Sequence, residues 1–390
     1  MSRQLTFVYK IEMAEKKDKN DPVQEVFYAT LPCQTNVYTS CIIPSQNRPD
    51  SRILLSPLMK NFRVYSCGSS PKLPKIDIDE KMFAYLPQEG CEIISVDVFQ
   101  SVETPLELIT GITWASHNES QIYFNIYESG LEYEMINIID SLELDFMPYQ
   151  LTHTLYNDEQ TCFVMTASDQ KVHIFCYSQD QQNYTEVEAE DVFVEFANEF
   201  PSVALWVDFK IHDDKRYTAV ALECGTFFTF VVDNVENQVL EKLEFTFQGP
   251  LTRVIFFPGD KVQILVLASL SLSRIFYQVD TEGLNRSSIL PSSDEFDIST
   301  CCTLADLDFD GNLEILMGTF GEQLIIYKED QTNQKWTLDW RKSFNNPIHN
   351  VFHLDLTGDG IKDIFLITMK TVLVLQHDYG KVEELIRSRT

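Results

Sequence analysis

Seven times along the chain a long apolar run breaks at a short polar hinge and then resumes. RILLSPLMKNFRVY (52–65), LELITGITW leading to IYFNIY (106–127), TCFVMTASDQKVHIFCY (161–177), YTAVALECGTFFTFVV (217–232) and VQILVLASLSLSRIFY (262–277) share this outline. LEILMGTFGEQLIIY (313–327) and KDIFLITMKTVLVLQ (362–376) complete the series, with starts 45 to 56 residues apart. The runs are rich in Val, Ile, Leu, Phe, Tyr and Thr, and several are apolar on both faces, as in sheets stacked between sheets. Before most copies lies another apolar run: CEIISVDVF, PYQLTHTLY, PSVALWVDF, GPLTRVIFF, STCCTLADL and NPIHNVFHL. Each unit thus offers an inner strand, a loop, a two-strand hairpin and room for an outer strand, for which WTLDWRKSF is a candidate. Four-stranded antiparallel sheets repeated radially are propeller blades, so the pattern predicts an all-β, seven-bladed β-propeller. The Gly-His and Trp-Asp signatures of WD40 repeats are absent.

The expected organisation is one domain, 1–377, with blades at roughly 30–67, 91–135, 149–180, 202–235, 249–282, 298–342 and 347–377. A ring must not leave two sheet edges open. An N-terminal strand at 4–13 is expected to pair with the last blade; closure by C-terminal strands alone is the alternative. The tail 378–390, with KVEELIRSRT, is read as starting a short C-terminal helix. Three segments exceed a blade's needs: the mixed-charge 72–82, the alternating apolar and acidic 127–149, and 184–200. The last has Val192, Phe196 and Phe200 at helical spacing and reads as an amphipathic helix, packed on its own propeller or docking a partner.

Hydrophobic residues make up 44 % of the chain, enough for a large core and against wholesale disorder. A formal charge of −29 disfavours nucleic acid and anionic lipid and favours a basic surface on a protein partner. The basic clusters are short, Lys16, Lys17 and Lys19 near the start and Arg387 and Arg389 near the end. Nine cysteines are scattered without pairing rhythm or a CxxC, which reads as buried, reduced thiols in a cytosolic protein. No signal-peptide pattern opens the sequence and no apolar run is long enough to span a bilayer, so the sequons at Asn118, Asn183 and Asn285 read as chance.

Charge bears on chemistry in two loops. DLDFDGNLE (306–314) and, 49 residues on, DLTGDGIKD (355–363) align without a gap. An EF-hand would need a bidentate Glu at position twelve and flanking helices; that position is Met317, inside a strand run. The last acid comes at position nine instead, which resembles the calcium loop of FG-GAP repeats, the blades of integrin-α propellers. That resemblance implies side-chain oxygens from Asp306, Asp308, Asp310 and Glu314 with the Asn312 carbonyl. In the second loop it implies Asp355, Thr357, Asp359 and Asp363 with the Ile361 carbonyl. Hard oxygens suit Ca²⁺ or Mg²⁺; the same residues also form Asx-turns without an ion. His349 and His353, four apart, hint at a metal pair but read as polar packing. No P-loop, G-x-S-x-G, H-E-x-x-H or G-x-G-x-x-G occurs, and a non-enzyme is expected.

Longer stretches narrow the resemblance. FNIYESGLEYEMINIIDSLELDFMPYQLTH, LPSSDEFDISTCCTLADLDFDGNLEILMGTFGEQLIIYK, HLDLTGDGIKDIFLITMKTVLVLQH and QTNVYTS are similar to the kaptin family, from about residue 34 to 377. Residues 1–30 depart from that pattern. The resemblance implies a scaffold subunit of the KICSTOR complex, in the cytoplasm and recruited to the lysosomal surface. Its implied partners are a second FG-GAP propeller, a very large subunit and a small helical one, and through the assembly the GATOR complex, which restrains TOR kinase signalling when amino acids or glucose are scarce. The alternative implied role is binding to F-actin at lamellipodia or stereocilia. Actin is acidic, so a −29 chain would need a basic patch that the sequence does not offer.

Overall fold

The apolar runs pair as antiparallel hairpins because each is buried on both faces and must satisfy its backbone within a sheet. The computed structural model describes residues 23–44, 52–58, 62–67, 76–81, 83, 86, 90–102, 107–117, 121–133, 136–156, 160–356, 360–377 and 387. They form seven sheets of four strands. Blades 1 to 6 run consecutively from inner to outer strand over 40–81, 91–144, 148–187, 204–246, 251–289 and 299–343. Blade 7 takes three strands from 348–377 and its outer strand from the start of the chain, Val23–Thr30, antiparallel to Thr371–His377. This strand holds the closing position; the expected 4–13 segment lies outside the described residues, as does the tail 378–390 apart from Arg387.

Every blade carries the same bond at the end of its first hairpin strand. The amides of Ser56, His117, Ser168, Glu223, Ser269, Phe320 and Met369 donate to the carbonyls of Thr39, Gly90, Met147, Val203, Pro250, Ile298 and Pro347. Six inner strands slip register near their start, between Ile93 and Ser95, Pro148 and Leu151, Ala204 and Trp206, Leu251 and Arg253, Ser299 and Cys301, and Ile348 and Asn350. Such bulges add twist and re-aim side chains at a barrel or channel rim.

The core is not one mass. Seven separate clusters lie between neighbouring blades, one for each junction. The seventh packs Ile53, Leu55 and Tyr65 of blade 1 on Phe365, Ile367 and Val374 of blade 7, which makes the ring continuous. Close approach demands glycine at Gly318: a Cβ there would lie 2.5 Å from Ile348 Cγ2 and 2.6 Å from Cys301 Sγ.

Two of the three surplus segments turn out to be blade material. Ile76–Lys81 and Asn137–Leu144 are the outer strands of blades 1 and 2. In the third, Asn183–Val187 is the outer strand of blade 3. Beyond it the chain makes one α-turn, Ala189–Val192, and a 3-10 turn, Val194–Phe196, in place of a helix. Val192, Phe196 and Phe200 are all buried against blades 3 and 4. Glu195 clamps this insert: its carboxylate accepts from Arg216 Nε at 2.9 Å and Nη2 at 2.8 Å and from Thr218 Oγ1 at 2.6 Å.

Candidate functional site

The loop 306–314 joins the first two strands of blade 6, and its acids are divided by direction. One set of oxygens faces the loop's own backbone. Asp306 Oδ1 accepts from the Asp310 amide at 3.0 Å and Oδ2 from Gly311 at 2.9 Å. Asp308 Oδ1 accepts from Asp310, Asp310 Oδ1 from Asn312, and Glu314 Oε2 from Leu307. Gly311 takes φ +87°, a left-handed value that favours glycine. The other set faces Lys328 on the third strand: its Nζ contacts Asp308 Oδ2, Asp310 Oδ2 at 3.1 Å and Glu314 Oε1 at 3.7 Å. Burial, then the neighbouring Asp308 and Asp310, pushes Glu314 up to about 7 against the pull of the Leu307 amide and Lys328. For Asp310 burial acts the other way but is outweighed by the Asn312 amide and Lys328, leaving its carboxyl below the usual range.

Among the described residues, Asp306, Asp308 and Glu314 are the one group of acids, histidines or cysteines close enough to share an ion. Asn312 stands beside them in the loop. The loop of blade 7 repeats the frame: Asp355 Oδ2 accepts from Gly360 at 2.8 Å, Asp363 Oδ2 from Leu356 at 3.2 Å, and Gly360 has φ +85°. Ile361 follows Gly360, while Thr357 and Asp359 lie outside the described residues. His349 and His353 do not meet at a shared site. The register slip puts His349 in a bulge, where its Nδ1 is 2.8 Å from Thr35 Oγ1. Burial lowers both rings to about 4, His353 also through Lys362 and His377.

A second polar constellation, unforeseen from sequence, links the connector 35–39 to the inner strands of several blades. The segment 35–39, between the closing strand and blade 1, crosses toward the opposite blades. Asn36 Nδ2 donates to the Ile94 carbonyl at 2.9 Å, and Tyr38 Oη to that of Leu205 at 3.1 Å. The Tyr38 ring stacks on Trp206, and Arg253 lies over the other's indole, Cζ 3.9 Å from the ring centre. Arg253 Nη1 donates to Asn350 Oδ1 at 3.0 Å, and Asn350 Nδ2 to Ser40 Oγ at 2.9 Å. Blades 1, 2, 4, 5 and 7 are thereby tied across the centre of the ring. Elsewhere His153 Nδ1 meets Asp97 Oδ2 at 2.7 Å between blades 3 and 2. Although burial lowers its basicity, Asp97 raises the His153 ring above its ordinary value.

Cys162 and Cys176 depart from the expectation of reduced thiols. They face each other on adjacent strands of blade 3, Cα atoms 4.6 Å apart, joined as a disulfide. Their opposition depends on strand register, which scattered spacing does not reveal. A cleft of about 480 Å³ between blades 2 and 3, floored by Phe99, Ile109 and Tyr184, holds Glu107 and Glu128. Burial, then a hydrogen bond donated to Glu107 and the like charge of that neighbour, raise the Glu128 carboxyl.

Comparison with known proteins now bears on this ring. The family described as KICSTOR complex protein kaptin matches residues 23–263 and 258–387. The mouse KICSTOR complex protein kaptin is 31 % identical over 340 residues, 80 % of this chain and 78 % of the mouse protein. Among solved structures, BBS1N in complex with ARL6DN, soaked with mercury, superposes with a TM-score of 0.59 at 10 % identity, covering 92 % of this chain and 97 % of that one. The Dos1 propeller gives 0.54 at 8 % identity over 91 % and 95 %. At those identities the likeness is one of fold.

Proposed function

This chain belongs to the kaptin family, and from that membership we propose that it is a non-enzymatic scaffold subunit of a KICSTOR-type complex. The observation that carries the reading is the extent of the match. It begins at residue 23, where the closing strand starts, and runs to 387, so the unit shared with the family is the whole ring. The internal chemistry is consistent with a body built to be held. Arg216, Arg253, Lys210 and His153 are each engaged in bonds between segments or blades.

In this role the ring presents loops and rims to other subunits, among them a second FG-GAP propeller, a very large chain and a small helical one. Its blades are of the same FG-GAP kind. The acidic surface steers basic partners toward it. The assembly brings the GATOR complex to the lysosomal surface and restrains the TOR kinase when nutrients are scarce. The chain reaches that membrane through partners. Affinity purification from cells with the protein tagged at its own locus tests this: a second propeller and a giant subunit should co-purify in stoichiometric amount. Recovery of the chain without them, together with co-sedimentation of the pure protein with actin filaments, would move the assignment to the cytoskeletal role.

A further inference from the structure

We propose that the acidic loop of blade 6 carries its own cation, the ammonium of Lys328, in the position where a loop of this shape would hold a divalent metal. The direction of the oxygens is the reason. Five hydrogen bonds from loop amides occupy the inward-facing oxygens of Asp306, Asp308, Asp310 and Glu314. The oxygens left to face a common point are Asp308 Oδ2, Asp310 Oδ2 and Glu314 Oε1, and Lys328 Nζ stands at that point. An ammonium has three N–H donors and no acceptor; here it donates to Asp308 Oδ2 and Asp310 Oδ2 and keeps Glu314 Oε1 as an ion-pair contact at 3.7 Å. A calcium ion needs six to eight oxygens at about 2.3–2.6 Å. To enter it would have to expel the ammonium and leave that charge among exposed acids.

The tie also fixes what the loop does. Lys328 reaches it from the third strand, so the first and third strands of blade 6 are bridged over the second. At the loop tip Phe309, held at φ +59°, packs on His377 of blade 7, ring centres 5.2 Å apart. A fixed loop therefore braces the junction beside the closing strand without metal. Blade 7 differs: Ile364 pairs with Leu375 where Ile315 pairs with Tyr327, so Gln376 stands at the place of Lys328 and brings no charge.

The test compares the wild type, Lys328→Ala and each of these with Asp310→Asn, by calorimetric Ca²⁺ titration and by thermal melts in Ca²⁺ and in EDTA. The quantity read is the Ca²⁺ response that Asp310→Asn removes, so that ions bound elsewhere drop out. It should be nil in the wild type and present in Lys328→Ala, whose midpoint should fall in EDTA and recover by a few degrees in millimolar Ca²⁺. An Asp310-dependent response in the wild type, or none in Lys328→Ala, overturns the proposal. If the alanine variant does not fold, Lys328→Met, which keeps the stem and loses the charge, carries the same comparison.

Discussion

Truncating Arg216 to alanine would strand a carboxylate in the interior, and the surroundings set the size of the penalty. The Arg216 and Glu195 side chains are 1 % and 0 % exposed, so solvent cannot take over the pairing. Glu195 would keep the Thr218 hydroxyl alone, and Asn234 and Asn237 would each lose a donor. The guanidinium also covers the Phe193 ring at 4.8 Å. Removing one partner of such a pair costs about 3–5 kcal/mol, whereas replacing both with apolar groups of similar volume is often near neutral. The polar neighbours make this case worse by about 1–3 kcal/mol. Arg216→Ala should therefore lose about 3–5 kcal/mol in urea unfolding, and more if the stranded asparagines find no water. Arg216→Met with Glu195→Leu should lose about 1–3 kcal/mol, far less than the sum of the single changes. Hydrogen exchange should show the 189–197 insert released first. A single variant within about 1 kcal/mol of the wild type, or a double variant equal to the sum, would refute the reasoning.

Gly318→Ala should destabilise by about 1–3 kcal/mol, because its methyl would meet Ile348 and Cys301 at the junction of blades 6 and 7; a matched urea melt reads it. Tyr38→Ala should cost about 1.5–3 kcal/mol by removing a half-buried ring from Trp206, and Tyr38→Phe about 1 kcal/mol for the single bond to Leu205. For His353 the sign is that of a depressed base. The unfolded ring takes a proton near pH 6.5 and the folded one near 4, so acid favours unfolding through that window. Relative to its deficit at pH 7, His353→Gln should gain about 2 kcal/mol on the wild type at pH 5, read from urea midpoints at the two pH values.

What the sequence disclosed was set by burial. Middle strands such as Ile264–Ala268, Glu314–Thr319 and Asp363–Thr368 are buried on every residue, and their largely apolar runs announce a stacked sheet. Outer strands face solvent on one side. IDIDEK at 76–81 and the alternating 137–144 read as segments beyond a blade's needs for that reason, and the expected spans of blades 1 to 5 stop before their fourth strands. The closing strand, VQEVFYAT, pairs with a segment more than three hundred residues away, and nothing local distinguishes it from 4–13. The acidic loop was legible because D-x-D-x-D-G acts over a few residues. Its counter-ion was not: Lys328 lies 20 residues from Asp308, and register alone brings it over. The helical spacing of Val192, Phe196 and Phe200 marked the right buried face, but a single α-turn and a 3-10 turn supply it.

The most direct measurement of the central claim is a cryo-electron microscopy reconstruction of the assembly purified through this chain. The account predicts seven four-stranded sheets in an unbroken ring, Val23–Thr30 completing the last, with other protein chains seated on its loops or rim. A gap between blades 7 and 1, or a ring that no other chain touches, would contradict it.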